Sequence, residues 1–166
     1  ARAILVTDSE ALADAVESEI ERQLKLLPRE AIARPSIENN GRIIITKDTD
    51  AMFELMNSVA PEHLEIAMEK AYDYLEKVEN AGSVFLGHFT SEPIGDYYAG
   101  ANHILPTTAT SRFSSALGVH DFVKRIQYMQ YDKVAVNKAK HDIITLAYAE
   151  GLQAHAKAIE VRNDNN

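Results

Sequence analysis

Residues 60–87, APEHLEIAMEKAYDYLEKVENAGSVFLG, decide the fold class, because they hold two apolar strand candidates separated by a helical segment. The pattern predicts a strand at residues 64–67, a helix at residues 69–78 and a strand at Ser83–Leu86, entered through a turn at residues 80–82. Strand, helix and strand in this order are typical of a layered α/β domain.

The alternation continues towards the start of the chain. Residues 3–6 and 42–46 are further strand candidates, and residues 52–59 carry the spacing of a short helix. Thr7 and Glu10 have the T-x-x-E form of a capping box, which predicts Thr7 as the helix N-cap. The helix that follows has an apolar stripe at spacings of four, ended by Pro28: Leu12, Val16, Ile20 and Leu24.

Length and composition exclude several classes of function. The 166 residues suit one domain, or one domain with a small appendage. With 17 basic and 25 acidic residues the net charge is −8, which disfavours nucleic acid and acidic membrane surfaces as partners. The chain has no Cys, hence no disulfide or thiolate site, and no apolar run approaches the roughly 18 residues of a membrane span.

The regular pattern fails after Leu86. Residues 87–115 show no sustained period, and a long loop inside a compact domain is more often functional than not. Helical spacing resumes at residues 132–150 and, after Gly151, at residues 152–161. No G-x-G-x-x-G fingerprint and no G-K-[ST] loop occurs, so neither of these devices holds a nucleotide phosphate in this chain.

Two pairs of residues are candidates for chemistry. Glu62 and His63 are adjacent, and a carboxylate and an imidazole exchange protons readily near neutral pH; the alternative is an exposed turn before a strand. Neighbours in an extended strand point to opposite faces, so both can serve one site only if the chain bends near Pro61. Asp96 and His103, in the long loop, could ligate a divalent metal, or could form an Asx turn beside an exposed histidine.

Glu150 and His155 lie near the helical end. Five residues apart on an α-helix, they differ by about 140° and do not share a face unless Gly151 deforms the helix. The residues alone therefore favour a solvated helix end.

The order of the elements also sets a condition on the site. Glu62 and His63 precede a strand, whereas Asp96 follows one, and ligand sites of parallel sheets lie at the carboxyl ends of strands. For these groups to meet, either the strands at residues 64–67 and Ser83–Leu86 run in opposite directions or the long loop crosses the sheet.

Several segments together resemble the histidinol dehydrogenase family. The resemblance rests on residues 60–65 (APEHLE), 81–87 (AGSVFLG) and 91–107 (SEPIGDYYAGANHILPT), and continues through the following short segments: residues 113–115 (FSS), 121–125 (DFVKR) and 150–156 (EGLQAHA). The order and spacing of these segments match the family along essentially the whole chain. Family chains are more than twice as long as this one. The resemblance therefore implies a C-terminal portion of such an enzyme.

The resemblance and the element pattern together predict the architecture. We expect an α/β fold. Residues 1–117 should form a three-layer Rossmann-like partial domain, which includes an active-site loop at residues 87–115. A small helical C-terminal arm at residues 118–166 follows. The family's two-fold dimer exchanges its C-terminal segments, so the resemblance implies a homodimer with an exchanged arm.

The resemblance also implies the chemistry, which is oxidation of L-histidinol through the aldehyde to L-histidine with two NAD⁺. Asp96 and His155 match two of four zinc ligands, and the other two ligands and most of the NAD site match the upstream half. His63 matches the base for the alcohol proton, and Glu62 the residue that activates water for the aldehyde step. His63, Asp96, His103, Glu150 and His155 match substrate-binding positions.

Further expectations follow from the same resemblance. The chain by itself is expected to be inactive, with no cofactor-binding residue for NAD of its own, and the enzyme is expected to be cytoplasmic. Two other classes stay open on the residues alone: a small non-catalytic α/β binding module, which would not need the loop at residues 87–115, and a self-contained metal hydrolase using His63, Asp96 and His103.

Overall fold

The computed structural model describes residues 1–164, with side chains through residue 162. These residues form two compact units, Ala1–Phe122 and a second unit that begins at Val123. The final two residues of the predicted arm, 165 and 166, lie outside the described residues. The two units are described one after the other.

The first unit begins with two parallel strands joined by two helices. Strand β1 (Ile4–Thr7) leads into helix α1 (Glu10–Leu24) and helix α2 (Glu30–Asn40), and strand β2 (Arg42–Ile45) returns beside β1. The register pairs Ile4 with Arg42 and Thr7 with Ile45. The predicted strands at residues 3–6 and 42–46 are therefore present.

The start of α1 differs from the predicted capping box. Ser9, not Thr7, is the N-cap, and its hydroxyl accepts a hydrogen bond from the Leu12 amide. The Thr7 hydroxyl accepts instead from the Ser9 amide, at 3.1 Å, while Thr7 is buried at the end of β1. The strand therefore continues through Thr7, and the helix begins two residues later than the motif indicates.

A second strand pair follows and carries most of the core. Helix α3 (Thr49–Val59) precedes strand β3 (His63–Ile66), and strand β4 (Ser83–Leu86) lies parallel to β3, with His63 opposite Ser83 and Ile66 opposite Leu86. Buried side chains of α3, β3 and the segment after it pack together: Phe53, Met56, Ile66 and Ala71. The two strands run in the same direction, which excludes the first of the two arrangements that the sequence allows and leaves the crossing loop.

The segment between β3 and β4 is a 3-10 helix at Ala71–Lys77 rather than the predicted α-helix. Lys70, directly before it, has a left-handed backbone with φ of 52°. The side chain of Asn57 on α3 accepts from the Glu79 and Asn80 amides, so the turn into β4 is held by α3.

The sheet of β3 and β4 has helices on both faces. Alternate side chains of the strands, Leu64 and Ile66 with Val84 and Leu86, face the α3 core. Helix α4 (Glu92–Tyr97), a short element inside the long loop, contacts the strands' other set of side chains, and a 3-10 helix at Thr110–Arg112 lies later in the same loop. The fold is mixed α/β with two small parallel sheets, as the element pattern predicts.

The second unit is a helical hairpin. Helix α5 (Lys133–Ala149) is capped by Asp132, whose carboxylate accepts from the Ala135 amide, and helix α6 (Gln153–Asp164) follows Gly151. Gly151 has φ of 73°, which ends α5 where the sequence predicts an interruption. Ala147 of α5 and Ala156 of α6 are buried. Among the described residues, no helix has the length and hydropathy that crossing a membrane requires.

Candidate functional site

Helix α4 runs back across the sheet and so brings the loop to the start of β3. The Glu92 amide at its first residue donates to the Glu65 carboxylate at 2.8 Å, and Glu65 lies opposite Phe85 in the register. Asp96, one turn later, lies beside His63 at the first position of β3. The long loop therefore crosses the sheet, which is the second of the two arrangements that allow Glu62 and His63 to meet Asp96.

Gly95 allows α4 to lie this close to the strands. A Cβ atom at Gly95 would come within 2.7 Å of the Phe85 ring, closer than real Cβ atoms approach. Phe85 is buried, and its ring also neighbours the His63 imidazole, with the ring centroids 6.0 Å apart. The aromatic ring thus forms an apolar floor beneath both α4 and His63.

Three side chains converge above this floor. One ligand atom each from His63, Glu92 and Asp96 lies within 4.8 Å of the other two. The Nε2 atom of His63 is buried and has no hydrogen-bond partner within the part of the chain that the structure describes. A buried polar atom without a partner is costly, so this nitrogen is suited to a polar group or cation that enters the cluster.

The predicted pair of Asp96 and His103 also meets. Asp96 Oδ1 and His103 Nδ1 are 2.8 Å apart, with the Asp96 side chain 18% exposed and that of His103 70% exposed. The hydrogen bond to His103 holds the pKa of Asp96 below its usual value, and the same bond raises the pKa of His103. Both pKa shifts favour a charged Asp96–His103 pair at the exposed side of the cluster.

Glu92 is a member of the cluster that the sequence analysis missed. Its side chain lies one helical turn from Asp96, and the hydrogen bond with Asp96, followed by burial, raises the pKa of Glu92. The available signal is the spacing Glu92-x-x-x-Asp96, which places both carboxylates on one face once residues 92–97 are helical. Residues 87–115 show no helical period, so this spacing is not informative by itself.

Glu62 lies directly before β3, partly buried, and its carbonyl oxygen accepts from the Ser83 amide. Its negative charge contributes to the raised pKa of His103, after the larger effect of Asp96. Glu62, His63 and His103 therefore belong to one electrostatic neighbourhood with Asp96.

Glu150 and His155 belong to the second unit. Glu150 is the C-cap of α5, and His155 lies exposed in the first turn of α6, where its amide donates to the Leu152 carbonyl. Gly151 separates the two helices, so these residues do not occupy one continuous helix. Their predicted roles remain predictions.

The donor set of the cluster is suited to zinc. One imidazole nitrogen and two carboxylates are ligand types that Zn²⁺ accepts, and the free Nε2 of His63 shows that the cluster has unused capacity for a polar group. The same set could hold the amine or imidazole of a small substrate through charge-assisted hydrogen bonds.

Comparison with known proteins gives a consistent result. The family model described as "Histidinol dehydrogenase" matches residues 1–163. A histidinol dehydrogenase of Streptococcus mutans is 82% identical over the whole chain, and one of Listeria monocytogenes is 54% identical over 98% of it. The chain covers 39% and 38% of these relatives, respectively, so it spans less than half the length of each.

A solved structure agrees with the sequence matches. The crystal structure of histidinol dehydrogenase from Elizabethkingia anophelis superposes with a TM-score of 0.78 at 36% sequence identity. The superposition covers 96% of this chain and 36% of that one.

Proposed function

Because the chain belongs to the histidinol dehydrogenase family, we propose that it supplies the C-terminal part of an active site that oxidises L-histidinol through the aldehyde to L-histidine. The upstream part supplies most of the NAD site and two further zinc ligands. This is the final chemistry of histidine biosynthesis. The chain alone is proposed to be inactive, because the residues it contributes are only part of the site.

One observation carries the proposal beyond family membership. His63 Nε2 is buried without a hydrogen-bond partner among the described residues, and a ring nitrogen of His63 lies within 4.8 Å of carboxylate oxygens of Glu92 and Asp96. An unpaired imidazole nitrogen at a polar cluster is ready to accept a proton, and it is costly unless a ligand or proton satisfies it. A non-catalytic binding module has no need of this arrangement, and the family matches give no support to a hydrolase.

In the proposed mechanism, two neighbouring residues each accept one proton. His63 takes the alcohol proton of histidinol through its imidazole while the hydride leaves the carbinol carbon. Glu62 then removes a proton from water as the water adds to the aldehyde carbon and the aldehyde oxygen takes up a proton. The resulting hydrate loses a hydride from carbon and a proton from one hydroxyl, which leaves the carboxylic acid. A positioned general base contributes roughly 10²–10⁴ to the rate of such a step.

The other residues bind and orient. Asp96 and His155 are proposed to hold zinc, while His103 and Glu150 contact the substrate with them. When bound, zinc would provide a fixed anchor for the imidazole and amine of the substrate, and NAD⁺ would be the hydride acceptor for both oxidations. The hydrogen bond with His103 lowers the pKa of Asp96, which favours the carboxylate form that ligation requires.

The proposal includes the assembly and the location. We place His155 in the partner's site of a homodimer that exchanges its C-terminal arm, and the enzyme in the cytoplasm. Neither a membrane nor a nucleic acid is a proposed partner, in agreement with the net charge of −8.

The roles of Glu62 and His63 can be separated by counting NADH. We suggest fusing residues 1–166 to the upstream segment of the Streptococcus mutans relative, which is 82% identical over the matched region. We expect the fusion to form two NADH per histidinol. Glu62→Gln should form one NADH and leave the aldehyde for a trapping hydrazine, whereas His63→Asn should lose roughly 10²-fold or more of the first oxidation but retain oxidation of added aldehyde.

Glu54→Gln is the matched control, since Glu54 is an exposed carboxylate on α3 outside the cluster. It should behave as the unsubstituted fusion. Two NADH per histidinol from Glu62→Gln, at an unchanged rate, would refute the role of Glu62.

A further inference from the structure

A carboxylate next to the proposed machinery has no role in the chemistry described above. Glu65 lies two residues after His63 on β3, so both side chains lie on the same face of the strand, opposite the α3 core. Its carboxylate oxygen accepts the Glu92 amide at 2.8 Å. This amide opens α4, the helix that carries Glu92 and Asp96.

The N-terminus of α4 depends on this bond. The first amides of a helix have no partner within the helix, and Ser91, the N-cap of α4, makes no side-chain capping hydrogen bond. Glu65, on strand β3, thus accepts the amide hydrogen bond that a capping side chain next to the helix would otherwise accept. A negative charge at this end of the helix is also favourable.

Helix α4 also packs against the sheet at Gly95. Gly95 packs against the Phe85 ring, and Phe85 is the residue paired with Glu65 in the strand register. Helix α4 is therefore fixed at its first residue by a hydrogen bond and at Gly95 by packing. Asp96 follows Gly95 directly, so these two contacts hold the backbone that carries its carboxylate beside His63.

We propose that Glu65 is a positioning residue, which anchors α4 across the sheet so that Asp96 and Glu92 face His63. The inference rests on the proposed function for its effect on turnover, and on geometry alone for its effect on α4. The chemical requirement at position 65 is a hydrogen-bond acceptor of this length. Gln retains such an acceptor, whereas Leu keeps a similar volume and lacks it.

The first readout is spectroscopic and needs no activity. The α-proton of Gly95 that points where a Cβ would be lies against the Phe85 ring, so the ring current displaces its resonance. In the 166-residue chain we expect Glu65→Leu to move this resonance towards its random-coil position. Glu65→Gln and the control Glu54→Leu should leave it in place.

The second readout is kinetic and uses the fusion described above. His63 stays on β3 when α4 shifts, whereas Asp96 moves, so substrate binding should suffer more than the proton transfer. We expect Glu65→Leu to raise the KM for L-histidinol about tenfold or more while kcat changes much less. Glu65→Gln should restore the KM, and Gly95→Ala, which disturbs the second contact, should raise it as Glu65→Leu does.

The outcomes separate the two ideas. If the unsubstituted fusion does not oxidise histidinol, the proposed function fails, but the Gly95 resonance still reports on Glu65. An unmoved Gly95 resonance in Glu65→Leu overturns the positioning role. The role is equally overturned if the resonance moves and the KM stays constant in an active fusion, or if Gln rescues neither quantity.

Discussion

At the scale of single residues, the contact between Asp96 Oδ1 and His103 Nδ1, at 2.8 Å, determines the charge at the mouth of the site. The bond lowers the pKa of Asp96 and raises that of His103. Each residue therefore favours the charged form of the other across the neutral pH range. A charged Asp96 is what ligation or substrate binding by this side chain requires.

This pair gives a prediction about pH. In the metal-free chain, Asp96→Asn should lower the pKa of His103 towards its ordinary value, as followed by NMR titration of the His103 ring. The stabilisation from a raised histidine pKa is fully present below the unfolded value near 6.5 and is lost as pH rises through the folded value. The unfolding free energies of the two proteins should therefore differ most in mildly acidic solution and converge at alkaline pH.

Glu76→Gln serves as the control for this titration, because Glu76 is exposed on the 3-10 segment and lies outside the cluster. It should leave the His103 titration unchanged. An Asp96→Asn variant in which His103 titrates as before would contradict the account of this contact.

Residue identity predicts some of the site and misses the rest for definable reasons. His63, Asp96 and His103 are recognisable as chemistry-bearing types, and the structure brings them together. Glu92 joins them only because residues 92–97 form a helix, which the composition of the loop does not predict. The N-cap shows the same limit, since Ser9 and Thr7 are both capable caps and the extent of β1 decides between them.

At the scale of elements, the strands were the most predictable part. All four lie within a residue of their predicted positions, because short apolar runs bounded by turn residues leave few alternatives.

The sequence pattern does not predict helix α2, because Pro35 lies inside it. Arg34, which pairs with Glu21, Glu30 and Glu38, joins α2 to α1. This cross-helix contact cannot be seen in a local pattern.

The relation between strand direction and the site also required the structure. The sequence leaves two solutions, opposed strands or a crossing loop, and the parallel register of β3 and β4 selects the second. The choice depends on the Glu65–Glu92 bond and on the close approach of Gly95 to Phe85. Both are contacts between residues distant in sequence.

The helical hairpin gives a prediction about association. Two apolar side chains of α5 are accessible, with Leu146 61% exposed and Ile143 39% exposed. We expect the chain to self-associate through this face, so that light scattering gives a mass near twice 18.4 kDa. Leu146→Glu should weaken association about tenfold or more, because burying one Leu is worth roughly 1.5–3 kcal/mol.

Thr145→Glu is the matched variant for this experiment, since it adds the same charge at the exposed position next to Leu146. It should associate as the parent chain does. A monomer of 18.4 kDa over a wide range of concentrations would contradict the expected dimer.

At the scale of the whole molecule, the chain belongs to the histidinol dehydrogenase family and spans 39% of the length of its Streptococcus mutans relative. The residues it contributes form a polar cluster in which one imidazole nitrogen has no hydrogen-bond partner in the described part of the chain. The sequence contains no glycine fingerprint for a dinucleotide. The proposal therefore treats the cluster as one part of a site completed by upstream residues.

The most direct test of this proposal compares NADH formation from L-histidinol, with zinc and NAD⁺ present, by the 166-residue chain alone and by its fusion to the upstream segment of the Streptococcus mutans relative. We predict no NADH above background from the chain alone and two NADH per histidinol from the fusion. NADH formation by the chain alone would contradict the claim that its site is incomplete. An inactive, folded fusion, beside an active full-length relative, would contradict the claim that these residues belong to a histidinol-oxidising site.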